Sequence, residues 1–314
     1  MKHLLALLLT LFGSITYAGS INGFNTDNAL INTTDIKRGG PPRDGIPAID
    51  NPKYITANDA HWLSATDRII GVFYQGEARA YPIKIMNWHE IVNTQFSSEP
   101  VVVSFCPLCG TGMVFKANVK ADKHSNKVSV LNFGVSGLLY QSDMLLYDRN
   151  TESLWSQLMN RAVTGPLKGS RLDMLVSHHT SFEQWRKTYP ETLVLDIKTG
   201  FQRNYERNPY QGYDTSNNIM FPVNNSFPRQ YHPKDEVFGL EYQDHFLAIP
   251  YRELSKTDAT EITYQWRDKN WTIHWQPETP TVWVKDDKGQ LIAGVRSFMF
   301  AWYAFHPDTD LFKQ

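Results

Sequence analysis

Cys106-Pro-Leu-Cys109 places two thiols three residues apart, and the chain has no other cysteine. A pair at this spacing can close as a disulfide, cycle as a redox couple, or present two thiolates to a soft metal ion. For a metal, Cys106 and Cys109 are the primary ligands. A structural zinc site needs four ligands and the sequence has no second Cys-x-x-Cys, so His89 and Met113 are the candidate completions. Met113 lies four residues beyond Cys109, and soft sulfur donors favour copper(I), so copper is expected before zinc. For an enzyme, Cys106 is the candidate nucleophile, His89 the general base, and Glu90 or Asp148 the residue that orients it. A thiol–disulfide oxidoreductase carries its pair at a helix N-terminus, whereas Gly110-Thr-Gly112 here favours a hairpin. If the cysteines are instead a structural disulfide, the protein is a non-catalytic module whose aromatic, Pro-rich loops bind a protein or a glycan.

Other polar concentrations carry weaker signals. Asp143, Asp148 and Glu152 surround Arg149 and could do acid–base work or hold a cation, but Asp148-Arg149-Asn150-Thr151 also reads as a turn capped by Asp and held by an Arg–carboxylate pair. His178 and His179 are adjacent, so at most one can face a site from a strand. His245, His274 and His306 read as surface or packing residues. No Walker, dinucleotide or nucleophile-elbow pattern is present, so no nucleotide or flavin cofactor is expected.

The elements that must position these groups follow from local pattern. Val101-Val-Val-Ser-Phe105 and Met113-Val-Phe115 flank the cysteines and read as strand, tight turn, strand. An internal repeat surrounds them. Asp67–Pro82 aligns without gaps on Asp235–Pro250, with six identical positions, and each copy reads as a strand, a two-residue turn, a strand and a Pro that opens a short helix. Thr180–Thr192 likewise parallels Ser297–Thr309; each begins with a hydroxyl N-cap, and Thr180 with Glu183 suggests a capping box. The expected fold is therefore α+β and β-rich: two related antiparallel-sheet units from an internal duplication, each ending in a short helix. The first unit spans 67–195 and carries the cysteine turn. A linker runs over 196–234, and a shortened second unit over 235–314. Residues 19–66 form a loop-rich N-terminal arm.

Lys2-His3, the apolar run Leu4–Phe12 and Thr16-Tyr-Ala18 read as a signal peptide over residues 1–18, so the protein is expected to be periplasmic or secreted. No later stretch is long and apolar enough to span a membrane. A net charge of −1 gives no pull toward nucleic acid. A protein or small-molecule partner is left open.

Five motifs in order, Cys106-Pro-Leu-Cys109-Gly-Thr, Phe133-Gly-Val-Ser-Gly-Leu-Leu, Tyr147-Asp-Arg-Asn-Thr-Glu-Ser-Leu-Trp155, Gly165-Pro-Leu-Lys-Gly169 and Asn208-Pro-Tyr-Gln-Gly-Tyr-Asp214, resemble the prokaryotic family known as domain of unknown function 3179. The resemblance runs from about residue 66 to the C-terminus. It implies an extracytoplasmic protein with this cysteine turn and carries no activity with it.

Overall fold

The computed structural model describes residues 19–120 and 128–313; the expected signal peptide lies outside them. The chain is β-rich. Its small, largely antiparallel sheets stand in a ring resembling a five-bladed propeller.

The cysteine sheet has the order Met174–Leu175, Thr111–Lys116, Glu99–Cys106, Ile91–Phe96. Val101, Val102 and Val103 alternate between its faces, yet all three are buried. A strand covered on both sides needs a continuous apolar run rather than alternation, which is what this stretch supplies. Beside it stands the Asp143 sheet, in which the hairpin of Phe133–Tyr140 and Asp143–Asp148 is extended by Leu154–Ser156 on one side and Ile36–Arg38 on the other. The N-terminal arm is thus built into the ring: it supplies Ile36–Arg38 here and Tyr54–Thr56 to a neighbouring sheet, and buries Phe24 and Ile49.

Two further sheets share one plan. In the Gly71 sheet, the hairpin Arg68–Tyr74 and Glu77–Pro82 pairs with His178–Ser181 on one side and, in parallel, with Leu193–Leu195 on the other. In the Gly239 sheet, Glu236–Tyr242 and His245–Pro250 pair with Val295–Phe298 and, in parallel, with Asp310–Leu311. Both hairpins turn on two residues with positive φ, Gln75-Gly76 and Gln243-Asp244, as a twist-matched two-residue turn requires. A side chain on Gly71 would collide with the indole of Trp185, and one on Gly239 with that of Trp302. Each indole donates to a threonine, Trp185 to Thr192 at 2.8 Å and Trp302 to Thr309 at 3.1 Å.

The helix caps differ from the sequence expectation. Helix Phe182–Thr188 is capped by Ser181, whose Oγ accepts from the Gln184 amide, while Thr180 accepts from the Thr281 hydroxyl instead. Helix Met299–Phe305 begins after Phe298 with no side-chain cap, because the buried Phe298 occupies the position where a hydroxyl was expected. The fifth sheet, Glu261–Trp266, Lys269–Gln276, Thr281–Lys285 and Leu291–Ile292, alternates buried and half-exposed residues along Lys269–Gln276, as its Trp-rich pattern predicts.

Candidate metal centre

The cysteine turn is a close-packed corner. Strand Glu99–Cys106 ends at the first thiol, and Pro107-Leu-Cys109-Gly110 leads into Thr111–Lys116. The Cys109 amide donates to the Cys106 carbonyl at 3.2 Å, and the Cys109 carbonyl accepts from the Phe298 amide at 2.8 Å. The Gly239 sheet therefore holds the turn directly. Gly110 has φ +63°, and a Cβ there would lie 2.9 Å from the Phe298 ring; a Cβ on Gly112 would lie 2.5 Å from the His179 ring. Both glycines are needed so that aromatic rings can close against the backbone.

Asp143 comes to the thiols from another sheet. It follows the two-residue turn Gln141-Ser142, both with positive φ, and opens strand Asp143–Asp148. One ligand atom from each of Cys106, Cys109 and Asp143 lies within 4.8 Å of the others. All three residues are fully buried, at 1%, 0% and 0% exposure. Asp143 Oδ2 accepts from the Leu158 amide at 3.0 Å and the Ser156 hydroxyl at 3.5 Å, while Oδ1 is buried with no hydrogen-bond partner. The Cys109 thiol donates to the Ser142 carbonyl at 3.3 Å. Both cysteines are free, so the disulfide expected under the structural reading is not formed.

Burial sets the electrostatics. It pushes the Cys109 thiol well above its ordinary range, and the neighbouring Cys106 and Asp143 push it further. Burial likewise raises Asp143 to about 7, against the lowering effect of the Leu158 amide. Without a cation, ionising Asp143 or Cys109 in this volume is costly, and both bind their protons more tightly than they would in water.

The segment read as a linker covers this corner. Tyr210 and Tyr213 pack in the same apolar cluster as the cysteines. Lys234, at 4% exposure, donates to the carbonyls of Asn218 at 2.6 Å and Ser216 at 3.3 Å. Its ammonium lies 4.0 Å from the ring centre of Tyr213 and 5.0 Å from that of Phe300. Burial lowers Lys234 to about 8, and Cys109 and Asp214 oppose that shift.

The other sequence candidates have separate places. His89 ends helix Ile83–His89 with both ring nitrogens engaged, Nδ1 with the Pro47 carbonyl at 2.8 Å and Nε2 with the Tyr205 hydroxyl at 2.7 Å. Asp143, not His89, is the residue grouped with the thiols. Met113 is buried on the face that Cys106 occupies, two positions along the ladder, since Cys106 pairs with Thr111 and Ser104 with Met113. Asp148 is consumed by structure: it accepts from the Thr151 amide and hydroxyl at 2.7 and 2.9 Å and from the Trp155 indole at 2.9 Å. Arg149 does not pair with Asp148; it reaches Asp50 at 2.8 Å and Asp44 at 3.4 Å in the N-terminal arm.

His178 and His179 face opposite ways, and His179 Nε2 meets the Gly112 carbonyl at 3.2 Å behind the turn. His274 stacks on Trp283 and His306 on Phe246, while His245 is exposed.

Glu90 closes its helix in the left-handed region at φ 57° and is joined by the Tyr210 hydroxyl, which donates to Oε1 at 3.5 Å. Burial raises its carboxyl to about 8. The folded chain therefore binds this proton more tightly than the unfolded one, and stability falls as pH rises from about 4.5 through 8. Glu90→Gln should stabilise the protein by up to about 4 kcal/mol more at pH 9 than at pH 5. Urea denaturation at the two pH values checks this; an equal effect at both would refute it.

The family described as protein of unknown function (DUF3179) matches residues 43–309. The chain belongs to it. No curated protein and no solved structure matches this DUF3179 chain. Asp143 was visible in the sequence only as one acid among three; nothing local links it to cysteines more than thirty positions earlier. Lys234 gave no sequence signal.

Proposed function

We propose that this DUF3179 protein binds a transition-metal ion through Cys106, Cys109 and Asp143. The observation that carries the reading is the buried, unpartnered Asp143 Oδ1 in a cluster whose three donors lie within 4.8 Å of one another. A buried carboxylate oxygen without a partner is costly unless something satisfies it, and a cation does so. Two thiolates and a carboxylate suit zinc better than copper(I), because the oxygen donor is hard; three protein ligands leave a fourth position for water or substrate. Copper(I) is the second reading, favoured by Met113 on the same sheet face as Cys106. A divalent ion with three anionic ligands leaves one net negative charge, and the buried Lys234 ammonium offsets it.

Redox cycling and a cysteine nucleophile fit less well. Both need an accessible, readily ionised thiol, whereas Cys106 and Cys109 are buried and Cys109 is raised. We further take the protein to be exported, to the periplasm or beyond, on its N-terminal signal pattern. We also take its two units to be products of a duplication; the shared strand order and the matching Trp-on-Gly packing support this.

Elemental analysis of protein purified from the periplasm without chelators tests the metal reading. Near-stoichiometric zinc or copper is expected, and it should be absent from a Cys106→Ser/Cys109→Ser variant. Metal-free protein that takes up neither ion after reduction would overturn it.

A further inference from the structure

Away from the thiols, a cleft runs between the Gly71 sheet and the Trp-rich fifth sheet. It has two chemically different ends. The apolar end, about 240 Å³, is walled by His178, Trp185, Tyr189 and Trp283. The charged end, about 650 Å³, is lined by Arg68, Asp214, Glu236, Glu278 and Arg296, among others. Thr180, Gln184 and Gln276 line both ends, so the two cavities adjoin. The Thr281 hydroxyl donates to that of Thr180 at 3.0 Å and ties the two sheets together at this waist.

Pairing within the charged end is incomplete. Arg296 forms an ion pair with Glu236, and Lys187 with Glu183 at 2.9 Å. Arg296 itself is 94% buried, being 6% exposed, and its Nε has no hydrogen-bond partner. Among the described residues, the half-exposed Arg68 has no ion pair or side-chain hydrogen bond, and neither Asp214 nor Glu278 has an ion pair. Both signs of charge are thus left over in one cavity, next to a wall of rings. A simple anion would satisfy only an arginine, and a simple cation only a carboxylate.

We propose that this cleft binds a small zwitterion bearing an aromatic group, of the chemical class of an aromatic amino acid. Its carboxylate meets Arg68, where two parallel N–H donors can engage both oxygens. Its ammonium lies against Asp214 or Glu278, and its ring enters the apolar end beside His178 and Trp283. His179 separates this site from the cysteine turn, with its ring against Gly112.

Calorimetric titration with phenylalanine tests the assignment, since Trp185 and Trp283 also give a fluorescence readout. Saturable binding is expected. Phenylacetate, phenethylamine and glycine, which lack the ammonium, the carboxylate and the ring, should each bind at least about tenfold more weakly. Arg68→Gln and Trp283→Leu should each weaken phenylalanine by about tenfold; both residues are half-exposed, so the fold tolerates the changes. No saturation by about 10 mM, equal binding by phenylacetate, or unchanged affinity in Arg68→Gln would overturn the proposal. The ligands of the metal reading are untouched by these variants, so failure here leaves that reading standing.

Discussion

Cys109→Ser should lower zinc affinity by about a thousandfold or more. Loss of a hydrogen-bond partner behind a ligand already costs 10- to 100-fold, and here a ligand itself is removed. Serine leaves a neutral hydroxyl where a thiolate bound, and a hydroxyl does not ionise near neutral pH. Asp143→Asn should cost about a hundredfold, because the amide keeps the shape and a polar atom at the unpartnered position but loses the charge. Competition against a chromophoric zinc chelator measures both, and retention of wild-type affinity within tenfold by Cys109→Ser would remove the cluster from consideration. The metal-free proteins should move the other way. With no ion present, Asp143 is a buried acid with one oxygen unpartnered, and its amide counterpart avoids the cost of ionising there, so Asp143→Asn should gain stability at pH 8 while losing affinity. A residue that served packing alone would lose stability and leave no such opposition.

The same cluster gives metal binding a definite pH dependence. In the absence of metal, burial raises Asp143 to about 7 and Cys109 well above the ordinary thiol range. Metal binding must release the protons of Asp143 and Cys109, so apparent affinity should climb as pH rises through 7 and fall in acid. Lys234 contributes to this balance. Its ammonium has no carboxylate within ion-pairing distance among the described residues, so it is held chiefly by two carbonyls and the faces of Tyr213 and Phe300. A buried cation in that setting is costly until thiolates form beside it.

How much of this the sequence disclosed depends on range. Local features were legible. The cysteine hairpin followed from β-branched residues around a Gly-rich break, the two-residue turns from Gln-Gly and Gln-Asp, and the short helices from Pro82 and Pro250. Asp148 as a turn cap was visible as the plainer of two readings. Groupings across sheets were not legible. Asp143 reaches the cysteines because two blades of the ring abut, and no periodicity encodes which blades do so. The segment 196–234 looked like a linker because it has turn residues and no repeat; its function of covering the thiols depends on Tyr210, Tyr213 and Lys234 meeting a surface made elsewhere. Arg149 also looked committed to its own turn, and instead it anchors the N-terminal arm through Asp50 and Asp44.

Gly110→Ala should both destabilise the fold and loosen the site, and the two causes can be separated. At φ +63° an alanine is in the left-handed region, at a cost of about 1–2 kcal/mol. Its Cβ would lie 2.9 Å from the Phe298 ring, which cannot retreat easily because the Phe298 amide is bound to the Cys109 carbonyl at 2.8 Å. Overpacking of this kind costs a further 1–3 kcal/mol or so, for a total of about 3 kcal/mol. Any shift that relieves the clash moves the Cys109 backbone, so zinc affinity should fall with stability. Adding Phe298→Leu to Gly110→Ala should recover the steric part, measured against Phe298→Leu alone, and leave the backbone part in place. Denaturation of the four proteins of that cycle decides it. Full recovery would mean that the left-handed conformation costs nothing here, and no recovery would mean that the ring is not what fixes glycine at this position. Zinc affinity in the double variant then reports whether the turn has returned to the geometry that brings Cys109 to Asp143.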